Sequence, residues 1–331
     1  MRFVVLGAGA IGGVVGGRLA QHGHDVVLIA RSAHYEAIRD NGLRIESPDE
    51  VTALRIPVVD RPSAISWSSD DVLLLATKTQ DTEAALDALT AVAPRTLSIL
   101  CAQNGVSNER MTMQRVANVY GVFVWCPADY LTPGNVRVWC GPKSGILHVG
   151  RYPSGSNAVA EAVAAAFRDA TFYAEAKTDI MRWKYRKLLS NLGNAVDALC
   201  GSAARGSGIA QRARREGVAC LAAAGIPFIA DEEEDAARLE REVHPRPIGG
   251  AERRGGSSWQ SLERRLGTIE TDYLNGEIVR LGRQYGVPTP VNALLQYLSQ
   301  RVARERRPPG SVRPEKILSA IDNEARKTKS E

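Results

Sequence analysis

Residues Arg2 to Gly13 read Arg-Phe-Val-Val-Leu-Gly-Ala-Gly-Ala-Ile-Gly-Gly, and this opening stretch limits what the chain can become more than any other. A short apolar strand runs directly into Gly7-x-Gly9-x-x-Gly12, and the small-residue segment from Val14 to Gln21 can continue as a helix. Strand, tight glycine turn and helix in that order form the setting that a dinucleotide fingerprint requires. Gly7 permits the turn, Gly9 lets the backbone approach a diphosphate, and Gly12 lets the helix pack close to the strand. The first helical amides, at Ala10 and Ile11, then face the anion. The competing reading is a glycine-rich turn or the apolar core of an export signal, since Arg2 precedes a mostly apolar run. Six glycines between Phe3 and Gly17, followed by Gln21-His22-Gly23-His24 where a small-residue cleavage site would stand, argue against export.

With 331 residues the chain is long for one core and comfortable for two. No apolar run reaches membrane-spanning length without a glycine or a charge, so no membrane partner is expected. The net charge of +5 comes from 42 Lys and Arg against 37 Asp and Glu, with much of the surplus near the C-terminus. That balance suits an enzyme with anionic cofactor and substrate better than a nucleic-acid binder. Five scattered cysteines, never spaced as Cys-x-x-Cys, fit reduced thiols in a cytoplasm, and neither they nor the five histidines form a metal-ligand pattern.

Asp25 to Ala30 reads as the second strand, and the residue type after it discriminates between cofactors. An acidic residue there would hold the ribose hydroxyls of NAD, whereas a basic one accommodates the 2′-phosphate of NADP. Arg31-Ser32 stands at that point and favours NADP(H), the other reading being a solvated surface arginine. Further strand-like segments follow at 43–45, 56–59, 72–76 and 97–100. The last two are uninterrupted apolar runs, as expected of central parallel strands covered on both faces. Thr77-Lys78-Thr79-Gln80 and Gln103-Asn104-Gly105 lie just beyond them, where ligands meet such sheets; ordinary loop polarity would look the same. Strand-like pieces between Val119 and Val149 suggest antiparallel additions to the sheet, and a helix from about Asn157 to Asp169 and a strand near Phe172 to Ala176 finish the first domain. The expected architecture is α/β: a dinucleotide-binding domain over residues 1–178, then an all-α domain over residues 179–331.

In the second half, a long helix from Asp179 would place Lys184, Lys187, Asn191 and Asn194 in one sector, beside a stripe of Leu188, Leu192 and Leu199. Such a row suits one wall of a cleft; an ordinary amphipathic helix with its polar side in water is the alternative. A second helix, about Leu262 to Tyr285, would set Glu270 among Leu266, Tyr273, Leu274 and Leu281. A carboxylate there must be in an ion pair or in a site. Ser257-Ser258-Trp259 precedes it. Asp231 to Asp235 reads as a solvated helix start and His244 to Gly250 as a connecting loop.

Taken together these features resemble the ketopantoate reductases (2-dehydropantoate 2-reductases) over nearly the whole chain. The resemblance rests on Gly7-x-Gly9-x-x-Gly12, Arg31, Lys78, Asn104-Gly105, Lys187-Leu188 with Asn191, Ser257-Ser258, and Ile269-Glu270-Thr271-Asp272-Tyr273-Leu274-Asn275-Gly276. It implies a Rossmann-type domain followed by a helical one, with NADPH reducing ketopantoate to pantoate on the route to pantothenate. Lys187 would be the general acid and Glu270 would orient groups around it. Asn104 and Asn191 would hold the substrate and nicotinamide region, Ser258 the substrate, and Lys78 and Arg31 the cofactor. Three departures fall on the substrate side. The second helix asparagine of the family is expected where Ala195 stands, with Asn194 one position early; no aspartate follows Ser258 at the family position; and the loop from His244 to Gly256 is longer and more basic. Two alternatives follow: a reductase of the same architecture acting on another 2-oxo acid, and an NADP-binding regulatory protein without turnover. The oligomeric state stays open, a homodimer being one option.

Overall fold

The structure, a computed structural model, describes residues 1–204, 206–231 and 242–327. It divides into two compact units, one of Met1–Lys184 with Ile229–Arg253, the other of Tyr185–Phe228 with Arg254–Glu331. Glu232 to Asp235 of the acidic run lie outside the described residues.

The first unit is built on an eight-stranded sheet. Its strands are β1 (Arg2–Leu6), β2 (Asp25–Ile29), β5 (Val58–Val59), β6 (Asp71–Leu75), β7 (Ser98–Cys101), β8 (Val119–Trp125), β12 (Gly145–Arg151) and β13 (Phe172–Tyr173), in the order β13-β12-β8-β7-β6-β1-β2-β5. The run from β5 through β8 is parallel, and β12 turns antiparallel against β8. Alternate residues of each central strand enter opposite layers. Phe3, Val5, Leu74 and Leu100 join one core, with Val163 and Phe167 of α5 (Ala158–Asp169), whereas Val4, Leu6, Leu73, Leu75 and Ile99 join another, with Leu86 and Leu89 of α3 (Thr82–Thr90). Burial on both faces is why these strands are continuously apolar.

Helix α1 (Ala10–Gln21) lies between two sheets, and its glycines show how. A Cβ on Gly12 or Gly16 would strike Val5 of β1, while a Cβ on Gly13 would strike Val136 and one on Gly17 Ile45. The second contact surface belongs to a separate four-stranded sheet, β4-β3-β10-β9, made of β3 (Leu43–Glu46), β4 (Val51–Leu54), β9 (Ala128–Thr132) and β10 (Asn135–Val138). This corrects the expectation that the strands after Val119 all extend the main sheet. β8 and β12 do, but β9 and β10 cover the outer side of α1. His244 to Gly250 is likewise more than a loop: β14 (Val243–Pro245) pairs antiparallel with β11 (Cys140–Pro142).

The second unit is helical, with two corrections to the expected helices. The stretch from Asp179 does not run on unbroken; it forms α6 (Ile180–Asn191) and α7 (Asn194–Cys200), separated at Leu192-Gly193. The stretch 262–285 divides into α9 (Ser257–Glu263), a 3₁₀ turn (Glu270–Tyr273) and α10 (Asn275–Tyr285). Arg265 and Gly267 between them take φ of 51° and 77°, which no α-helix accommodates, and Leu266 is exposed rather than part of an apolar stripe. The remaining elements are α8 (Ile209–Ala223), α11 (Pro290–Arg304) and α12 (Pro314–Lys327). Glu216 of α8 accepts the first amides of α11, from Val291 at 2.8 Å and Asn292 at 2.9 Å, a carboxylate cap on a helix start. Burial is the main reason its pKa lies above the ordinary value despite those hydrogen bonds. Among the described residues, no helix is long and apolar enough to cross a membrane and no group of three or more His, Cys, Asp or Glu is arranged to hold a metal.

Candidate functional site

The candidate residues fall in both units. In the first unit, β1 lies between β2 and β6, so the order of strands reverses beside it, and the loops at the carboxyl ends of β1 and β6 meet. Gly7 has φ of 102°, and a Cβ there would come within 2.8 Å of the Thr77 amide nitrogen. At Gly12 a Cβ would lie 2.1 Å from the Gly7 carbonyl oxygen. Gly9 is different, because the atom nearest its Cβ position is Cδ1 of Tyr130 at 3.9 Å. Two glycines are thus crowded by their own fold, and the third, at the start of α1, meets only the Tyr130 ring at ordinary contact distance. Gly9 caps that helix, whose first turn carries no acidic residue, so its amides at Ala10, Ile11 and Gly12 present an uncompensated positive end. These features fit a diphosphate.

Arg31 stands at the end of β2, where Ser32 takes a left-handed φ of 54° and turns the chain into α2 (Ser32–Asn41). Its guanidinium is 72% exposed and lies 3.6 Å from Asp81, a contact that solvent screens. Lys78 is half-buried at the start of the short turn after β6. Asn104, also half-buried, follows β7, and its carbonyl accepts from the Asn108 amide at 3.4 Å. Asn108 joins the two loops. It accepts from Thr82 at 2.8 Å and donates to Thr79 at 3.2 Å, while the Gln103 amide donates to Thr82 at 3.2 Å. The buried Thr77 hydroxyl and Gln103 side-chain carbonyl have no hydrogen-bond partner among the described residues.

Lys184 is a correction to the polar row read from the sequence. It is 2% exposed, forms an ion pair with fully buried Glu109 of α4 (Asn108–Met113), and donates to the Cys101 and Gln103 carbonyls at 3.2 and 3.0 Å. It is a structural tie inside the first unit, to which α6 belongs as far as Lys184, between the start of that helix and the end of β7, of the kind whose rupture costs about 3–5 kcal/mol.

In the second unit, Lys187 and Asn191 lie one turn apart on α6, Lys187 half-buried and Asn191 5% exposed. The Asn191 amide nitrogen and the Ser258 hydroxyl, itself on a residue 1% exposed, have no hydrogen-bond partner among the described residues. Buried donors left in this state are costly to the fold unless a water or a ligand meets them. Glu270 is 5% exposed on its 3₁₀ turn. Asn194 opens α7 with its side-chain oxygen 3.4 Å from the position a Cβ on Gly256 would take, on the side of the serine segment, whereas Ala195 is fully buried. One turn on, Asp197 accepts the Gly256 amide at 2.9 Å and so holds the start of α9, which carries Ser258.

Residues 3–154 match the family model described as ketopantoate reductase PanE/ApbA, and residues 179–303 match that of its C-terminal region. The chain belongs to the ketopantoate reductase family. It is 31% identical over 303 residues to the 2-dehydropantoate 2-reductase of Pyrococcus horikoshii, covering 89% of this chain and 95% of that one. The corresponding enzyme of Archaeoglobus fulgidus is 31% identical over 310 residues, covering 91% and 97%. A ketopantoate reductase structure from Ralstonia eutropha superposes with a TM-score of 0.77 at 29% identity, over 92% of this chain and 99% of that one. A D-mandelate dehydrogenase solved with NADH and anilino(oxo)acetate gives 0.76 at 24% identity, over 92% and 99%, a likeness of fold alone. As a member of the ketopantoate reductase family, the chain is a dinucleotide-binding oxidoreductase acting on a CH–OH group.

Sequence reasoning about this ketopantoate reductase family member missed Asn108, Thr82 and Asp197. The links that join them to other loops span between 21 and 59 positions, and no local pattern signals such pairs.

Proposed function

We propose that the chain uses NADPH to reduce a small 2-oxo acid to the 2-hydroxy acid, with ketopantoate to pantoate as the first reaction to test. The observation that carries this reading is the pair of orphaned buried donors, Asn191 and Ser258, in the unit that also bears Lys187 and a buried Glu270. A 2-oxo acid offers acceptors to such groups, a carboxylate and a carbonyl. Arg31 in place of an acidic residue supports NADPH over NADH, with Lys78 as a second cation toward the phosphates.

When bound, the dihydronicotinamide supplies the hydride. Oxygen of the substrate carbonyl then gathers negative charge, and Lys187 donates the proton that completes the hydroxyl. Glu270 holds the lysine and substrate in register, Asn191, Asn194 and Ser258 of the second unit orient the acid, and Asn104 of the first unit serves the nicotinamide. Positioning of this kind removes entropy from the step before it begins.

A different 2-oxo acid is the second reading. It is favoured by Ala195, fully buried where the family asparagine is expected, and by the fold shared with a dehydrogenase of D-mandelate. NADPH oxidation with ketopantoate beside aliphatic and aryl 2-oxo acids, repeated with NADH, separates the two. Lys187→Ala is expected to lower kcat by ~10²–10⁴-fold on the preferred acid, with NADPH affinity retained. If NADPH binds but no 2-oxo acid is turned over, the 2-oxo acid reading falls.

A further inference from the structure

His34 stands in none of the roles above, yet it is buried beside the glycine loop. It is 6% exposed on α2, with Nε2 2.7 Å from the Ala8 carbonyl oxygen and Nδ1 2.9 Å from the Gly134 amide nitrogen. Gly134 lies in the turn between β9 and β10, so the imidazole bridges the loop after β1 to the second sheet. The two contacts fix the tautomer. Gly134 has an N–H to give and Ala8 a carbonyl to receive, so Nδ1 accepts and Nε2–H donates.

The consequence lies in the next peptide. In a trans peptide the carbonyl and the following N–H point in opposite directions, so holding the Ala8 carbonyl sets the direction of the Gly9 amide. The Gly7 and Ala8 amides are already committed to the Ile29 carbonyl, at 3.1 and 3.2 Å, and the Gly9 carbonyl accepts from Gly13 at 2.6 Å. The Ala8–Gly9 peptide plane is what remains to be fixed, and His34 is the side chain that grips it. Tyr130 packs on the imidazole with ring centroids 4.3 Å apart and reaches to 3.9 Å from the Cβ position of Gly9.

We propose that His34 is a positioning residue for the cofactor: it holds the Ala8 carbonyl so that the Gly9 amide, followed by those of Ala10 and Ile11, is presented to the diphosphate. The proposal rests on the reading of the glycine loop as an NADPH site. Two variants of similar size divide the imidazole's tasks. His34→Gln keeps a donor at the reach of Nε2, toward Ala8, and His34→Asn keeps an acceptor near Nδ1, toward Gly134. NADPH affinity, measured by quenching of protein fluorescence and so independent of turnover, should fall about tenfold in His34→Asn and much less in His34→Gln. Turnover at saturating NADPH should stay as in the wild type, so that the loss appears in KM and not in kcat. Nitrogen-15 spectra of the wild-type imidazole should show a pyridine-type Nδ1 and a pyrrole-type Nε2. The proposal is overturned by wild-type affinity in His34→Asn, by equal losses in both variants that track their melting temperatures, or by the opposite tautomer. Absence of NADPH binding in the wild-type chain would instead overturn the cofactor reading itself, and this inference with it.

Discussion

Ser258 illustrates how a single residue separates function from stability. Its side chain is 1% exposed and its hydroxyl has no hydrogen-bond partner among the described residues. Desolvating a hydroxyl without compensation costs about 1–3 kcal/mol. Ser258→Ala should therefore melt at or above the wild-type temperature while KM for the 2-oxo acid rises. A drop in stability with unchanged kinetics would mean that the serine serves the fold. The residue types of the proposed site are legible in the sequence, since Ser258, Asn191, Lys187 and Glu270 stand in motifs. Their state is not. The orphaned donors and the hold of Asp197 on Gly256 depend on neighbours brought in by folding.

At the scale of elements, the glycines of α1 sort by what they touch. A Cβ on Gly12 would meet backbone, the Gly7 carbonyl oxygen at 2.1 Å, whereas one on Gly17 would meet the end of a side chain, Ile45 Cδ1 at 2.4 Å. Alanine gains about 1 kcal/mol over glycine in a helix interior, too little to offset a backbone clash. Gly12→Ala should lose NADPH binding, and Gly17→Ala should keep it with a modest fall in melting temperature; equal effects would contradict this division. The α6–α7 break has its own partner. The Asn275 amide, fully buried, donates to the Leu192 carbonyl at 3.2 Å and to Asn292 at 2.9 Å. Gly276 lets α10 approach Gln296 of α11, whose amide nitrogen would be 2.8 Å from a Cβ there. The most specific family motif of the second half thus includes residues that build the unit. Periodicity could not reveal the break, because Lys184, Lys187, Asn191 and Asn194 keep helical spacing across it.

For the whole molecule, acid stability offers a test of the first unit. Burial alone would raise the Glu175 carboxyl, but hydrogen bonds from Lys177 and Tyr173 and the nearby positive charge outweigh it and hold it at about 2 rather than 4.5. A carboxyl lowered on folding adds stability that is complete above the unfolded value and lost as pH falls toward the folded one. Glu175→Gln should destabilise the chain near neutrality and flatten the fall in stability between about pH 4.5 and 2; denaturant midpoints across that range would show it, and parallel wild-type and variant curves would refute it. The cysteines add little on the other flank. All five are free and buried, and burial pushes the Cys200 thiol up to about 11. By itself the sequence determined the parallel sheet, the glycine turn and the change to helices, because strand alternation, glycine spacing and helical periodicity are local and survive reading one residue at a time. Tertiary structure alone decided that β9 and β10 leave the main sheet to cover α1, that Lys184 becomes a buried ion pair with Glu109, and that His34 grips the Ala8 carbonyl. Those outcomes depend on groups from 26 to more than 100 positions apart, whose meeting is set by packing and by the need to pair every polar group taken from water.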